Sequence, residues 1–186
     1  MTPAADVTIV HGGQTGVDRG AHEAAIECGW AVGGYMTRDA RDELGPIPPE
    51  VAKCLQPHET MGYAERTDAN VRASNAVLVV VRDARYAKST PGTRKTIVLA
   101  EKLHKRRMIV DPKTDPNEIA YWIWKDLIAR GTLPLPLETR QTDPAPARLM
   151  IAGPRESKWT GARVETYKLL RHVCLCLSEL RLNAPS

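Results

Sequence analysis

The residues best placed to do chemistry lie in the run Val7-Thr8-Ile9-Val10-His11-Gly12-Gly13-Gln14-Thr15-Gly16-Val17-Asp18, where four β-branched residues stop at paired glycines and pass at once into a helical pattern. Glycine lets backbone approach a ligand closely, and the amides that open a helix have no intrahelical partners, so a strand-loop-helix unit of this kind suits an oxyanion such as phosphate. The amides of Gly13 to Gly16 and the Thr15 hydroxyl would hold one set of phosphate oxygens, flanked by Gly12 and Gln14, with Arg19 completing the charge balance. The competing reading is a tight β-α turn with no ligand. The run has neither the GxGxxG spacing of a dinucleotide fingerprint nor the GK[ST] ending of a nucleotide-triphosphatase loop. Neither hydride transfer nor ATP hydrolysis follows from it.

Two more glycine-bearing loops have the same placement. Ser89-Thr90-Pro91-Gly92-Thr93-Arg94 follows the unbroken apolar run Ala76 to Val81, and Gly153-Pro154-Arg155-Glu156-Ser157 follows Leu149-Met150-Ile151-Ala152. Thr90, Gly92 and Thr93 would supply a second turn of amides, and Gly153, Arg155 and Glu156 a third loop. Arg66 and Asn70, four apart in a helical pattern, share a face, a guanidinium to bind oxyanions and an amide to read a heterocycle edge. Their bland alternative is a surface helix with a capping Asn, and for Arg155 it is a pair with Glu156.

These loops need a scaffold, and the periodicity supplies one. A helix from Val17 to Cys28 ends at Gly29, a second strand covers Trp30 to Met36, and a helix covers Tyr63 to Ala73. A run as apolar as 76–81 reads as a strand buried on both faces, with helices on both sides of the sheet. Further helices begin near Thr93 and, with the Asp115-Pro116-Asn117-Glu118 start signal, near Pro116, the latter running to Gly131. Met108 to Val110 is another strand, and a terminal helix spans about Thr160 to Leu182. Thr37 to Thr60 reads as a long loop from which Gly45-Pro46 and Pro48-Pro49 exclude regular structure, and Leu133 to Ala147 as an irregular one. The expected fold is α/β: one Rossmann-like domain over residues 1–186, with an open, mainly parallel sheet, helices on both faces and a C-terminal helix. Ligands of such sheets bind beyond the carboxyl ends of the strands, where the strand order reverses, so the three loops would line one cleft.

Composition narrows the class. The chain has 186 residues, 42% of them hydrophobic, enough for a single core. Its formal charge of +4 comes from 26 basic and 22 acidic residues, with only a small basic cluster at 102–107. That cluster reads as a solvated helix end, so nucleic acid is not the expected partner. No apolar stretch is long enough for a membrane span and residues 1–5 are no signal peptide, so a cytoplasmic protein is expected. The four cysteines read as reduced packing residues; Cys174 and Cys176 point about 200° apart on a helix and cannot grip a metal together. No metal site is expected, and His11 reads as a polar strand-end residue more than as a catalyst. Trp122 and Trp124 cannot face the same way on a helix, so one belongs to the core and the other is free to anchor an interface. Along the terminal helix Val164, Tyr167, Leu170, Val173, Cys174, Leu177 and Leu180 form one apolar face, which Leu169, Leu175 and Cys176 widen, and a homo-oligomer is expected.

The strings GGQTGVDRGAHEAAIECGWAVGGY, DELGPIP, YAERTDANVRASNAVLVV, PGTRKT and AGPRESK resemble the molybdenum-carrier family, relatives of the lysine-decarboxylase-like (LOG-type) Rossmann proteins of the SLOG superfamily. The resemblance runs from about residue 8 to 170. It implies a Rossmann-like domain that binds a nucleotide-like or pterin-phosphate ligand, with molybdenum cofactor suggested for some relatives. LOG-type phosphoribohydrolases carry a PGGxGTxxE pattern, and Pro91-Gly92-Thr93-Arg94-Lys95-Thr96 brings no glutamate to the matching place. The carboxylate that glycosidic cleavage generally needs therefore has no obvious occupant. Asp18 is unusual beside an anion: it would accept hydrogen bonds from a sugar or pterin group, pair with Arg19, or favour the positive end of its helix. A carrier or sensor of a phosphorylated small molecule, molybdenum cofactor or nucleotide, is the first reading. A phosphoribohydrolase using Asp18 or Glu156 is the second, and a nucleic-acid accessory protein the third.

Overall fold

The structure, a computed structural model, describes residues 7–60, 62–128 and 146–182. Its chain order is β1 (Val7–Val10), α1 (Val17–Glu27), β2 (Ala31–Gly33), β3 (Tyr35–Met36), α2 (Pro49–Ala52), β4 (Gln56–Pro57), α3 (Tyr63–Arg72), β5 (Ala76–Val80), α4 (Pro91–Lys102), β6 (Arg106–Val110), α5 (Pro116–Ile123), β7 (Ala147–Ala152) and α6 (Ala162–Leu182). Five strands form one sheet in the order β2-β1-β7-β5-β6, and every neighbouring pair is parallel. The α/β, Rossmann-like architecture expected from the sequence is thus present.

The order of the strands places the site. Counted as if the chain began at β7, the sheet reads 3-2-1-4-5, the order of a doubly wound mononucleotide-binding half, so the direction of winding reverses between β7 and β5. Each residue of β5 is buried. Period-2 alternation sends Ala76, Leu78 and Val80 into a core with α1, α5 and α6, and Val77 and Val79 into a second core with Val71 of α3 and Ile97 and Ala100 of α4.

Several elements differ from the sequence reading. The strand expected over 30–36 breaks at Gly34, whose φ is 125° and whose absent Cβ would fall 2.3 Å from the His11 carbonyl oxygen. Beyond this kink β3 leaves the main sheet and pairs with β4. Residues 37–60 are not an unstructured loop: Pro49 occupies the first turn of α2, where a missing N–H costs nothing, and Met36, Ile47, Val51 and Leu55 form a small core of their own. At the end of α5, Trp124–Ile128 winds as a π turn, which changes the register enough for Trp122 and Trp124 both to pack against the main core. The expected end of this helix at Gly131 and most of the 133–147 loop lie outside the described residues; β7 begins at Ala147, two residues before the strand expected from Leu149.

The terminal helix is buried more deeply than its pattern implies. It packs on α1 and α5, and Leu169 and Cys176 join the core with Leu170, Val173, Cys174 and Leu177 instead of widening an outer surface. Val164, expected on the buried face, is 49% exposed. All four cysteines are free, and Cys28, just past the end of α1, and Cys174 of α6 both pack in the main core. The basic cluster at 102–107 is largely paired: Lys105 donates to the carbonyls of Arg72 and Ser74, Arg106 bonds Asp126 and Arg107 bonds Glu101.

Candidate functional site

A cavity of about 280 Å³ opens beyond the carboxyl ends of β1, β5 and β7. Of the residues singled out in the sequence, Gly12, Gln14, Asp18, Arg66, Asn70, Gly92, Gly153 and Arg155 line it. Gly13, Thr15, Gly16, Arg19, Thr90, Thr93 and Glu156 do not. Tyr63, Lys95 and Thr96 also line the cavity and were not singled out, although a reading of α3 and α4 by helical spacing from Arg66 and Gly92 would have reached them.

The first glycine loop is closed on itself. The Gly12 and Gln14 amides donate to Asp18 Oδ2 at 3.0 and 3.1 Å, the Gly13 amide donates to His11 Nδ1 at 3.0 Å, and the Val17 amide donates to the Pro154 carbonyl. Two of the amides expected to face an anion, those of Gly13 and Gln14, are thereby spent within the protein, as are the neighbouring ones of Gly12 and Val17; the Thr15 and Gly16 amides have no acceptor among the described residues, but neither residue lines the cavity. Gly16 is required by the neighbouring loop: with φ at 70°, a Cβ there would sit 2.6 Å from both the Glu156 amide nitrogen and the Pro154 carbonyl oxygen.

Thr15, Arg19 and Glu156 are likewise engaged elsewhere. Glu43, from the segment read as a loop, accepts from the Thr15 hydroxyl and from the amide and hydroxyl of Ser157, and so ties the first loop to the third. Burial opposes ionisation of Glu43, but these donors and Arg155 hold its carboxyl below the usual range. Arg19 pairs with Asp42 at 3.1 Å. Glu156 turns away from the cavity and accepts from the Gly161 and Arg163 amides, capping the start of α6. Asn70 reaches the cavity edge, yet its side-chain amide is occupied at both ends by the backbone of Tyr35.

The cationic groups do converge. Arg66 is 8% exposed, donates from Nη1 to the Gly12 carbonyl at 2.6 Å and lies 3.7 Å from Asp18; among the described residues its Nε has no partner. The guanidiniums of Arg66 and Arg155 lie 5.8 and 5.3 Å from the centre of the Tyr63 ring. Arg155 is otherwise held only by Glu43, at 3.9 Å, and Lys95 is exposed without a partner among the described residues. Burial pushes the Asp18 carboxyl up, against the opposing pull of Arg66, the Gln14 and Gly12 amides and Arg19. Three cations therefore face one carboxylate.

Helix α4 completes the wall. Thr90 at its N-cap gives its hydroxyl to the Thr93 hydroxyl at 2.7 Å and caps no first-turn amide, Pro91 has no N–H, and nothing lies within 4 Å of where a Cβ on Gly92 would be. The Gly92 and Thr93 amides thus lack a side-chain cap, at the positive end of a twelve-residue helix whose first turns border the cavity. Among the described residues no cluster of three or more His, Cys, Asp or Glu is set to hold a metal ion, and no helix is long and apolar enough to cross a membrane.

Comparison with known proteins agrees with the fold. The profile of the circularly permutated YpsA SLOG family matches residues 9–174. A crystal structure from Syntrophus aciditrophicus SB, named "Putative molybdenum carrier protein", is similar at 27% identity with a TM-score of 0.71, covering 92% of this chain and 96% of that one. A search of curated proteins finds no match.

Proposed function

Since the chain belongs to the circularly permuted YpsA SLOG family, we propose that it is a binding protein for a small molecule carrying a phosphate or similar oxyanion, held in the cavity beyond β1, β5 and β7. One observation carries this reading: α4 presents an N-terminus without a side-chain cap to the cavity beside Lys95, whereas the cavity-lining amides of the first loop, those of Gly12 and Gln14, are already taken by Asp18. The anion belongs at Gly92, Lys95 and Arg155, with Arg66 behind it. Molybdenum cofactor or a nucleotide would both be held by their phosphate. The likeness to a protein named a molybdenum carrier supports the former, but no cysteine lines the cavity to ligate the metal itself, so the group would be carried as cargo. A phosphoribohydrolase is the weaker reading, because Glu156 is spent on α6 and, among the described residues, Asp18 is the only carboxylate on the cavity wall.

Gly92→Asp tests the site with little risk to the fold, since the added atoms meet open space and a carboxylate in the first turn favours the helix by about 0.3–1 kcal/mol. Its melting midpoint should equal or exceed that of the parent. Calorimetric titration with inorganic phosphate should show binding to the parent and none to the variant. Equal binding by both would place the anion elsewhere.

A further inference from the structure

One wall of the proposed anion site has the wrong sign for an anion. Asp18 lines the cavity, its Oδ2 anchored by the Gly12 and Gln14 amides. The other carboxylate oxygen receives no hydrogen bond among the described residues and is not one of the sealed, partnerless atoms, so it meets the open space of the cavity. On the same loop Gln14, 5% exposed, has its Oε1 without a partner. Two acceptors with nothing to accept thus lie on the first loop, whereas the free donors lie on α4 and at Arg155. The volume also exceeds what a bare oxyanion fills: about 280 Å³ corresponds to roughly nine waters at liquid density.

Resting on the anion-binding reading, we infer that Asp18 is a specificity-determining residue: it favours an oxyanion attached to an organic group bearing hydrogen-bond donors, hydroxyls or ring N–H and amino groups, over free phosphate or molybdate, which bind more weakly. Molybdate brings only charged oxygens to Asp18, and inorganic phosphate, which keeps one or two P–OH groups near neutral pH, must turn one of them to the carboxylate while its charge is still repelled, so both are disfavoured. A phosphoester with a sugar or an amino-bearing ring satisfies both walls at once, leaving neither the cations nor the carboxylate unpaired.

Asp18→Asn separates the two jobs of this side chain. The amide oxygen can take the place of Oδ2 and keep the Gly12 and Gln14 amides satisfied, while the NH₂ turns the cavity-facing acceptor into a donor. Calorimetry with inorganic phosphate and molybdate, and with ribose 5-phosphate, AMP and GMP, should give opposite changes. The inorganic ions should bind the variant about tenfold more tightly. At least one organic phosphate should bind the parent more tightly than inorganic phosphate and lose about tenfold in the variant. Unchanged or weaker binding of inorganic phosphate to a folded variant overturns the inference. So does a parent protein that binds no organic phosphate better than phosphate itself, a comparison that stands even if the variant does not fold. If the parent binds none of these probes and Lys95→Ala is equally silent, it is the anion-binding reading that fails.

Discussion

His11 shows how a residue close to the site serves it indirectly. It is fully buried, accepts the Gly13 amide at Nδ1, and so carries its proton on Nε2, where it faces His22 Nδ1 at 3.2 Å. Burial, with help from His22, Arg66 and Arg19, lowers its pKa to about 3. The folded protein therefore keeps this ring neutral while the unfolded chain protonates it near pH 6.5, so stability is full above that value and falls as the pH drops toward 3. The loss is of order 4 kcal/mol across that window. Urea unfolding at pH 7, 5 and 4 should show the decline. His11→Asn, which can offer the Gly13 amide an oxygen instead, should flatten it, whatever it costs at neutral pH. Parallel declines in both proteins would assign the acid sensitivity to other groups.

At the scale of elements, the site depends on three loops being held against one another. The first and third meet where Gly16 packs on Pro154 to Glu156, and Glu43 bonds both from above. Gly16→Val would push a branched side chain into backbone 2.6 Å away at a φ of 70°, which a β-branched residue tolerates poorly. The expected outcome is a loss of several kcal/mol in denaturant unfolding, or no soluble protein at all, comparable to severe overpacking. This effect is on folding, and it should appear with no ligand present. A stable Gly16→Val protein that merely fails to bind phosphate would instead return the anion to the first loop.

Assembly is decided at the scale of the whole molecule. After α6 has buried most of its apolar positions against α1 and α5, Val164, Leu175 and Leu182 remain 49%, 46% and 85% exposed, and their spacing places them on one stripe of the helix. The homo-oligomer suggested by the sequence would use this stripe, between the ion pairs of Lys168 and Arg171. Light scattering at micromolar concentration should give a dimer mass, halved by Leu175→Glu. A monomer would leave these three side chains as ordinary exposed apolar surface.

The alternation of strand and helix, the burial of 76–81 on both faces and the grouping of Gly12, Gly92 and Gly153 at one edge of the sheet were all legible in the sequence, because hydrophobic period and glycine position are local properties of a chain. Arg66 and Arg155 were each legible as candidate anion-binding residues, but that both guanidiniums meet at the Tyr63 ring was not. What the sequence does not contain is which donors remain free once every loop has met its neighbours. Asp18 and His11 fill the Gly12, Gly13 and Gln14 amides of the first loop, Glu156 caps α6, and Glu43, from a segment with no periodicity to mark it, fastens Thr15 to Ser157. The Asp18, His11 and Glu156 contacts are made inside local turns, those of Glu43 join residues 28 and 114 apart in sequence, and in both cases backbone donors are satisfied by whatever acceptor the fold delivers. Glycine spacing alone therefore pointed to the first loop, whereas in the tertiary structure the cavity-lining Gly12 and Gln14 amides of that loop are taken and the start of α4 borders the cavity without a side-chain cap.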